Sequence, residues 1–319
     1  MTNSKTIAVI GATGAQGSGL VRAILADPSS GFHARAITRK ATGDKAAELR
    51  NLGAEVVEAD LDDAASLARA FDGAYGAYCV TNYWEHFTPA KEVSQGHNLA
   101  RAAKSAKLQH VIWSTLEDTR DRVPLSDNRM PTLMEKYKVP HFDAKAEADA
   151  AFAAAGVPTT YLLTTFYWEN FIYFGMGPKQ GPDGRFSLTL PMGNARLSGI
   201  AAEDIGKCAY GIFKQGTAWI GKRVGIAGDH LTGAQMAADM GKALGKEVTY
   251  NVVTPAAYRG FGFPGADDLG NMFQYYTEFE REFAAARSLD TSRALNPALL
   301  DFKSWLAKYG SRIPLVTNA

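Results

Sequence analysis

The segment Lys5–Leu20, KTIAVIGATGAQGSGL, decides the fold of this chain. Its apolar run Ile7–Ile10 predicts a short buried strand, and the residues after the last glycine favour a helix. The glycines between them follow a three-residue spacing, as Gly11, Gly14 and Gly17. A strand, a glycine turn and a helix together hold a pyrophosphate over free backbone N–H groups at the helix N-terminus. A tight turn without a ligand is the alternative, but the place of the motif directly after the first strand favours a nucleotide-binding turn.

Composition and charge narrow the class of protein. The chain has 319 residues, with 34 Lys and Arg against 33 Asp and Glu, so its overall charge does not favour nucleic acid or an acidic membrane surface. Cys79 and Cys208 are far apart and match no metal-binding or redox spacing, which predicts two buried thiols in a reducing compartment and no metal site. The sequence has no basic leader and no apolar run of membrane length, and we therefore expect a soluble cytoplasmic protein.

The end of the second predicted strand indicates which dinucleotide binds. Ala34–Ile37 is followed by Thr38, Arg39 and Lys40, where an acidic residue would select NAD by accepting hydrogen bonds from the free ribose 2′-hydroxyl. Two cations at this point would instead neutralise a 2′-phosphate, through a guanidinium fork and a point charge. Solvated loop charges are the alternative interpretation. The sequence therefore predicts NADP(H) as the cofactor.

Strands and helices alternate through the first half of the chain. This order predicts an α/β fold with a doubly wound parallel (Rossmann) sheet in a dinucleotide-binding domain, residues 1–165. The composition changes after Asn170, and a smaller mixed α/β domain is expected over residues 166–319, with 200–228 a candidate to return to the first domain. A loop is predicted at Gly175–Gly184, and helices are predicted at 202–213, 232–244, 269–287 and 297–309. Thr232 and Gln235 form a predicted capping box for the second of these helices, and Asn296 is the predicted N-cap of the last. The aromatic stretch Met272–Phe283 is predicted to be a core segment or a lid.

The residues that follow the other strands are further candidates, because the carboxyl ends of parallel strands share one edge of a sheet. Asp60 and Leu61 follow the third strand, and the Asp60 carboxylate either meets the adenine amino group or caps the next helix. Thr81, Asn82 and Tyr83 follow the fourth strand. Loops at this edge are where function is expected.

Longer phrases narrow the family. TNYWE at 81–85, HFDAK at 141–145, FYWEN at 166–170 and GFPGADDLGNMF at 262–273 accompany the glycine motif GATGAQG. Together they resemble the NmrA-like family of atypical short-chain dehydrogenases/reductases, in particular its NADP(H) redox-sensor subgroup, over essentially the whole chain. The resemblance implies an NADP(H)-binding protein that reports cofactor status through protein contacts and has little or no turnover.

The resemblance also assigns residues by position. Lys145 would reach the nicotinamide ribose, while Ser94 replaces a lysine of the family's EV-K-QG phrase, a loss that Lys91 could offset from the neighbouring turn. The resemblance assigns the pyrophosphate to Gly11, Thr13, Gly14, Ala15, Gln16 and Gly17, and the 2′-phosphate to Thr38, Arg39 and Lys40. It assigns the adenine to Asp60 and Leu61, and the ribose side to Thr81, Asn82 and Tyr83. The nicotinamide would be contacted by Tyr167, Trp168, Glu169 and Asn170.

The catalytic set of the reductases is incomplete in this sequence. Active short-chain reductases resemble one another in a Ser, Tyr and Lys set, in which Tyr and Lys lie one helical turn apart and the ammonium lowers the tyrosine pKa. Ser114 and Lys145 are present, but His141 stands where the tyrosine belongs, and Tyr137 is too far from Lys145 to replace it. Three interpretations remain open: Lys145 only binds cofactor; His141 donates the proton; or the substrate is a quinone or polarised alkene that needs no tyrosine.

Two functions follow from these interpretations. We expect a regulatory protein, in which NADP(H) changes the order of loops near Arg39–Asp63 or Tyr83–Thr88 and thereby the affinity for a protein partner. The alternative is an NADPH-dependent oxidoreductase that reduces a quinone, an enal or another small apolar acceptor. Direct nucleic-acid binding is not expected, because the sequence has no basic helix and no zinc spacing. A homodimer is compatible with the sequence.

Overall fold

A large parallel sheet organises the first half of the chain in the computed structural model, which describes residues 4–315. The strands are β1 (Lys5–Val9), β2 (Phe32–Thr38), β3 (Glu55–Glu58), β4 (Gly76–Cys79), β5 (His110–Thr115), β6 (Thr159–Leu163), β7 (Phe166–Tyr167), β8 (Lys179–Gln180), β9 (Phe186–Leu190), β10 (Arg196–Ile200), β11 (Arg223–Gly225), β12 (Asp229–Thr232) and β13 (Val248–Val252). The helices are α1 (Gly17–Leu25), α2 (Asp44–Asn51), α3 (Ala64–Phe71), α4 (Pro89–Ser105), α5 (Pro140–Ala155), α6 (Asn170–Tyr173), α7 (Ala202–Gln215), α8 (Gly233–Leu244), α9 (Pro255–Arg259), α10 (Ala266–Glu278), α11 (Glu280–Ala285), α12 (Leu289–Leu295) and α13 (Phe302–Tyr309).

The large sheet has seven strands in the order β11-β6-β5-β4-β1-β2-β3, and every neighbouring pair is parallel. The predicted doubly wound Rossmann sheet is therefore confirmed. The central strands β4 and β5 are buried along their whole length, because helices cover both faces of the sheet. The strand order reverses direction between β1 and β4, which opens the crevice where sheets of this kind bind ligands.

Two elements from the second half of the chain join the large sheet. Strand β11 pairs in parallel with β6. Helix α7 packs so closely on α1 that a Cβ on Gly206 would lie 2.1 Å from Leu20 N, and one on Gly19 would lie 2.2 Å from Glu203 O. The segment 200–228 thus supplies a helix and a strand to the sheet, while the proposed boundary at 165/166 stays a prediction.

The remaining strands form two smaller sheets, β12-β10-β7 and β13-β9-β8. They enclose an aromatic core together with the late helices, and Phe273, Tyr276 and Phe283 of the predicted aromatic stretch are buried in it. The predicted capping box of Thr232 and Gln235 is confirmed at the start of α8. Within residues 4–315, no helix combines the length and the apolar character needed to cross a lipid bilayer.

Two predicted helices and one predicted loop differ from the structure. The helix expected at 269–287 is divided into α10 and α11, because Phe279 leaves the helical conformation at φ −118° and ψ 31°. The helix expected from Pro297 begins only at α13, where the Asp301 carboxylate accepts the Ser304 N–H as N-cap. Asn296 does not cap that helix: its Oδ1 accepts the Ala298 N–H at 3.2 Å in a turn that ends before α13 begins. The loop expected at 175–184 contains the short strand β8.

Candidate cofactor site

The glycine turn forms a cradle of free backbone N–H groups at the crevice. Gly11 has φ +64°, a left-handed conformation that glycine adopts without strain. A Cβ on Gly17 would lie 2.5 Å from Gly11 O, so only glycine lets α1 begin directly against the turn. The N–H groups of Thr13, Ala15 and Gln16 have no hydrogen-bond partner among residues 4–315. This arrangement fits the predicted pyrophosphate, whose oxygens would accept from these groups.

The Gln16 side chain connects the glycine turn to the other side of the crevice. Its Oε1 accepts hydrogen bonds from the Tyr78 hydroxyl on β4 and from Ser114 Oγ on β5, the latter at 2.8 Å. Its Nε2 donates to the Tyr167 hydroxyl at the end of β7. The side-chain amide of Gln16, which the resemblance assigns to the pyrophosphate, therefore contacts Tyr167, which it assigns to the nicotinamide.

Ser114 is not grouped with the other two candidate catalytic residues. Its neighbours Trp113 and Thr115 donate to Asp149 on α5, at 2.8 and 2.6 Å. Because side chains alternate along a strand, Ser114 points to the opposite face of the sheet from α5, the helix that carries Lys145. Ser114 therefore lies on the Gln16 side of the sheet, and its expected role as a substrate-side hydroxyl stays a prediction.

Arg39 is paired with Glu85, a residue of the segment that follows β4. The hydrogen bond to Glu85 raises the pKa of the Arg39 guanidinium. Both side chains are largely exposed, and so is Lys40. Thr38 ends β2 at the same sheet edge as the glycine turn, which leaves Arg39 within reach of the crevice. A 2′-phosphate bound here would compete with the Glu85 carboxylate.

The residues assigned to the adenine form a short turn before α3. Asp60 Oδ1 accepts the Asp62 N–H at 2.8 Å, whereas Asp63 caps α3 by accepting two N–H groups of its first turn. The helix-capping interpretation of Asp60 is therefore wrong, and its contact with adenine, like that of the half-buried Leu61, stays a prediction. Lys91 Nζ lies 2.9 Å from Asp62 Oδ2, so the cation proposed to replace the family lysine is engaged by this turn.

Lys145 is held by a buried carboxylate beside the end of β4. Its Nζ lies 2.8 Å from Glu92 Oε1 and donates to the hydroxyl and carbonyl of Thr81, at 2.8 and 3.1 Å. The Thr81 hydroxyl in turn donates to Glu92 Oε1 at 2.6 Å, and Glu92 is 0% exposed. Burial acts to raise the pKa of the Glu92 carboxyl, yet the Lys145 ammonium and the facing groups of His86 and Thr81 lower it to about 2. Glu92 is therefore ionised, and its charge offsets that of Lys145.

His86 faces the second oxygen of Glu92. Its Nδ1 accepts the Thr88 N–H at 3.0 Å, so the neutral ring carries its proton on Nε2. His86 Nε2 lies 3.4 Å from Glu92 Oε2, and neither atom has a hydrogen-bond partner in the described part of the chain. Glu85 and His86 are consecutive, so one short segment contacts both the predicted 2′-phosphate ligand and the carboxylate that holds Lys145. Next to them, Asn82 is exposed and Tyr83 is buried.

The Glu92–Lys145 pair makes the stability of the protein dependent on pH in acid. The pKa of Glu92 is about 2 in the folded protein, against 4.5 for an ordinary glutamate. The contribution of the Glu92 carboxylate to the free energy of unfolding is therefore complete above pH 4.5 and is lost as the pH falls toward 2. At about 1.4 kcal/mol per pKa unit, we expect the wild type to lose about 2 kcal/mol more than the double variant Glu92→Gln/Lys145→Met between about pH 6 and about pH 3. Urea unfolding at both pH values measures the difference, and equal losses in the two proteins would contradict it.

His141 forms a pair with Asp268 one helical turn before Lys145. His141 Nδ1 lies 2.6 Å from Asp268 Oδ1, and the other carboxylate oxygen accepts the His141 backbone N–H at 3.2 Å. A carboxylate only accepts, so Nδ1 is the donor in this pair and Nε2 is the ring nitrogen turned away from Asp268. His141 Nε2 makes no hydrogen bond to the residues that the structure describes. The ring centroid lies 4.7 Å from that of Trp84 and 6.0 Å from that of Tyr83.

Two residues assigned to the nicotinamide side belong to the smaller domain. Trp168 is 1% exposed and packs against Phe302 and Trp305. Glu169 accepts the Ala202 N–H at 2.8 Å, at the start of α7, and Trp305 Nε1 at 3.0 Å. The fold therefore uses both side chains, and their assignment to the cofactor stays a prediction. Asn170, which begins α6, keeps only a predicted role.

A match to known proteins spans almost the whole chain. The sequence profile described as the NmrA-like family covers residues 3–306. The chain belongs to the NmrA-like family. The resemblance expected from TNYWE, HFDAK and the other phrases is thus confirmed.

Relatives within the NmrA-like family match the chain over most of their length. The NmrA-like family domain-containing oxidoreductase FrzB of Cladobotryum sp is 28% identical, and the alignment covers 84% of this chain and 83% of FrzB. The oxidoreductase hkm9 of Aspergillus hancockii is 26% identical over 96% of this chain and 97% of its own. The solved structure of NmrA, a negative transcriptional regulator, in complex with NAD has a TM-score of 0.78 at 26% identity, and its complex with NADP one of 0.77 at 25%. Both cover 97% of this chain and 96% of NmrA.

Three residues of this NmrA-like site were not predicted, although each lies in a phrase that the sequence singled out. Glu85 closes TNYWE, Glu92 opens EVSQG, and Asp268 lies in GFPGADDLGNMF. The available signal was periodicity: Glu92 shares a face of α4 with the buried Gly96 and Leu99, where an acidic side chain requires a cationic partner. The partner itself comes from another helix, which periodicity does not identify.

Proposed function

We propose that this NmrA-like protein is a cytoplasmic NADP(H)-binding regulator, which reports cofactor occupancy through the segment 81–88 and has little or no turnover. The Arg39–Glu85 pair carries this proposal. Arg39 is the predicted ligand of the 2′-phosphate, so a bound phosphate and Glu85 compete for one guanidinium. Binding of NADP(H) therefore favours a state in which Glu85 is released, whereas NAD(H), which has no 2′-phosphate, leaves the pair in place.

Several features support NADP(H) as the ligand. The free N–H groups of the glycine turn fit a pyrophosphate, and Arg39 and Lys40 offer two cations at the ribose end. NmrA, which shares the fold over nearly the whole chain, has been solved with NAD and with NADP. The 2′-phosphate is the same in the oxidised and reduced cofactor, so the Arg39–Glu85 pair reports occupancy by NADP(H) and not its redox state.

The segment 81–88 also reaches the protein surface, where a partner could read its position. Trp84 and Phe87 lie against the turn at Gly265, where a Cβ would be 3.0 Å from the first and 3.2 Å from the second. Phe87 has φ +54°, a strained conformation for a residue with a side chain. Phe87, Phe261 and Phe263 are exposed. Release of Glu85 would therefore alter an exposed aromatic surface that a regulatory protein could bind.

A second candidate function is that of an NADPH-dependent oxidoreductase for a quinone, an enal or another apolar carbonyl or alkene. The His141–Asp268 pair favours it, because His141 Nε2 has no hydrogen bond in the described chain and lies one helical turn from Lys145. Several curated relatives are named oxidoreductases. Against it, the Lys145 ammonium is bonded to Glu92 and Thr81, and no tyrosine stands at position 141 to be activated by it.

Glu85→Gln is expected to raise the affinity for NADP(H) about two- to fivefold and to leave the affinity for NAD(H) unchanged, because an exposed ion pair contributes at most about 1 kcal/mol. Isothermal titration calorimetry with all four dinucleotides measures this. Glu48→Gln is the matched control. It breaks another exposed ion pair, Arg22–Glu48, whose charged atoms lie 2.8 Å apart and which is outside the crevice.

Hydrogen exchange and turnover complete the test. We expect NADP(H), but not NAD(H), to change amide exchange in residues 81–88, and we expect no NADPH oxidation with quinones, enals, aldehydes or ketones. Turnover that is lost in both Lys145→Ala and His141→Ala would replace the regulatory function with that of a reductase. An equal gain in NADP(H) and NAD(H) affinity in Glu85→Gln would show that the pair does not report the 2′-phosphate.

A further inference from the structure

The pair formed by Glu92 and Lys145 lies on the nicotinamide side of the crevice. Thr81, which bonds both residues, follows β4, and the glycine turn follows β1 on the other side of the reversal in strand order. A dinucleotide that crosses such a crevice places one mononucleotide over each half of the sheet. With the 2′-phosphate at Arg39, beyond β2, the nicotinamide half falls on the side of Thr81.

The charge of the nicotinamide ring differs between the two forms of the cofactor. The oxidised ring carries one positive charge, and the reduced ring carries none. A lone ammonium buried near the ring would therefore weaken binding of the oxidised form, and a lone carboxylate would strengthen it. A carboxylate and an ammonium in direct contact largely cancel each other at the distance of a neighbouring group.

We propose that Glu92 tunes the preference of this site between oxidised and reduced cofactor: its carboxylate cancels the Lys145 ammonium, so that the pair itself favours neither NADP⁺ nor NADPH. The proposal rests on the NADP(H) binding proposed above. The geometry supports it, because Glu92 Oε1 touches both Lys145 Nζ and the Thr81 hydroxyl, within 2.8 Å, and the Glu92 side chain is fully shielded from water.

Other charges near the pair stay constant in the test. Asp268 carries a second buried carboxylate, which His141 Nδ1 contacts at 2.6 Å, and His86 faces Glu92 Oε2. They contribute a fixed background to the preference of the wild type. The effect of Glu92 and Lys145 is therefore read as a change from the wild type and not as an absolute ratio.

Two single variants change the net charge of the pair in opposite directions, and the double variant leaves it at zero. Glu92→Gln leaves the ammonium alone, Lys145→Met leaves the carboxylate alone, and the double variant removes both charges. A unit charge within about 10 Å, at an effective dielectric constant of about 20, changes an affinity ratio by roughly tenfold. We expect Kd(NADP⁺)/Kd(NADPH) to rise roughly tenfold in Glu92→Gln, to fall roughly tenfold in Lys145→Met, and to return to within about threefold of the wild type in the double variant.

Titration calorimetry with each form of the cofactor, on proteins whose folding is checked by circular dichroism, decides the proposal without any measurement of turnover. Glu48→Gln, which breaks the exposed Arg22–Glu48 pair, is the control and should leave the ratio unchanged. Removing both members of a buried pair is often tolerated where removing one is not. If one single variant does not fold, the other single variant and the double variant still show whether the shift reverses with charge.

Shifts of the same sign in both single variants, or a ratio that stays constant in all three, would overturn the role of Glu92 while leaving NADP(H) binding intact. A double variant that keeps the full shift of Glu92→Gln would overturn it as well. If the wild type binds neither form, the proposed function fails first, and this inference fails with it.

Discussion

NADP(H) binding is expected to weaken about 10- to 100-fold in Arg39→Ala, while NAD(H) binding changes by less than about threefold. A hydrogen bond to a charged group contributes about 1.5–3 kcal/mol, and the guanidinium is the planar donor that matches a phosphate. Arg39 lies just beyond β2, and within residues 4–315 its only ion-pair partner is the exposed Glu85. Freeing the Arg39 guanidinium for a phosphate therefore costs little free energy. Calorimetric titration of the variant with NADPH and NADH measures both affinities.

Lys40→Ala is the matched control for that prediction. Lys40 is also exposed and adjacent in sequence, but an ammonium is a point charge without a second parallel donor. We expect it to cost NADP(H) binding at most about fivefold. If Arg39→Ala weakened NADPH and NADH equally, the residue would act on the fold of the crevice and not on the 2′-phosphate.

Gly206→Ala is expected to lower the free energy of unfolding by about 3 kcal/mol, at the upper end of the usual cost of overpacking. The added Cβ would lie 2.1 Å from Leu20 N, 2.5 Å from Gly19 C and 2.6 Å from Gln16 O, all of which are backbone atoms of α1 or its N-terminus. Backbone atoms do not move aside as a flexible side chain does, so α7 must shift away from α1. Because α1 begins at the glycine turn, we also expect weaker NADP(H) binding. Urea unfolding followed by circular dichroism measures the first effect.

Gly43→Ala is the control for this substitution. Gly43 has φ −75° as the N-cap of α2, and a Cβ there would meet no atom closer than 3.5 Å. Alanine in place of glycine at such a position changes stability by less than about 1 kcal/mol. A loss of similar size in both variants would show that the contact between α1 and α7 is not what makes Gly206 necessary.

The first half of the fold could be predicted in detail, and the second half only in part. Strands β1 to β6 alternate with helices along the chain, and this alternation leaves few topologies other than a doubly wound sheet. The second half is held together by contacts between residues far apart in the sequence, which no regular sequence pattern indicates. Phe279 interrupts a long apparent helix, and Asn296 begins a turn that ends before α13, whose N-cap is Asp301.

The candidate site also has a part that could be predicted from the sequence and a part that could not. The glycine turn and Arg39 could be predicted, because a local motif determines the turn and the end of a strand determines where Arg39 lies. The contact of Ser114 with Gln16 could not be predicted, because it depends on which face of β5 the Ser114 side chain occupies and on how β5 packs beside the glycine turn. Trp168 and Glu169 were assigned by position alone, and the smaller domain uses both.

The sequence by itself determined the parallel sheet, the glycine turn, the cationic strand end and membership of the NmrA-like family, because each depends on residues that are neighbours along the chain. The tertiary structure decided the charges of the site: it paired Arg39 with Glu85, Lys145 with Glu92, and His141 with Asp268. Each of these pairs joins separate elements, and the energy of an ion pair depends on distance and burial, which exist only once those elements are packed together.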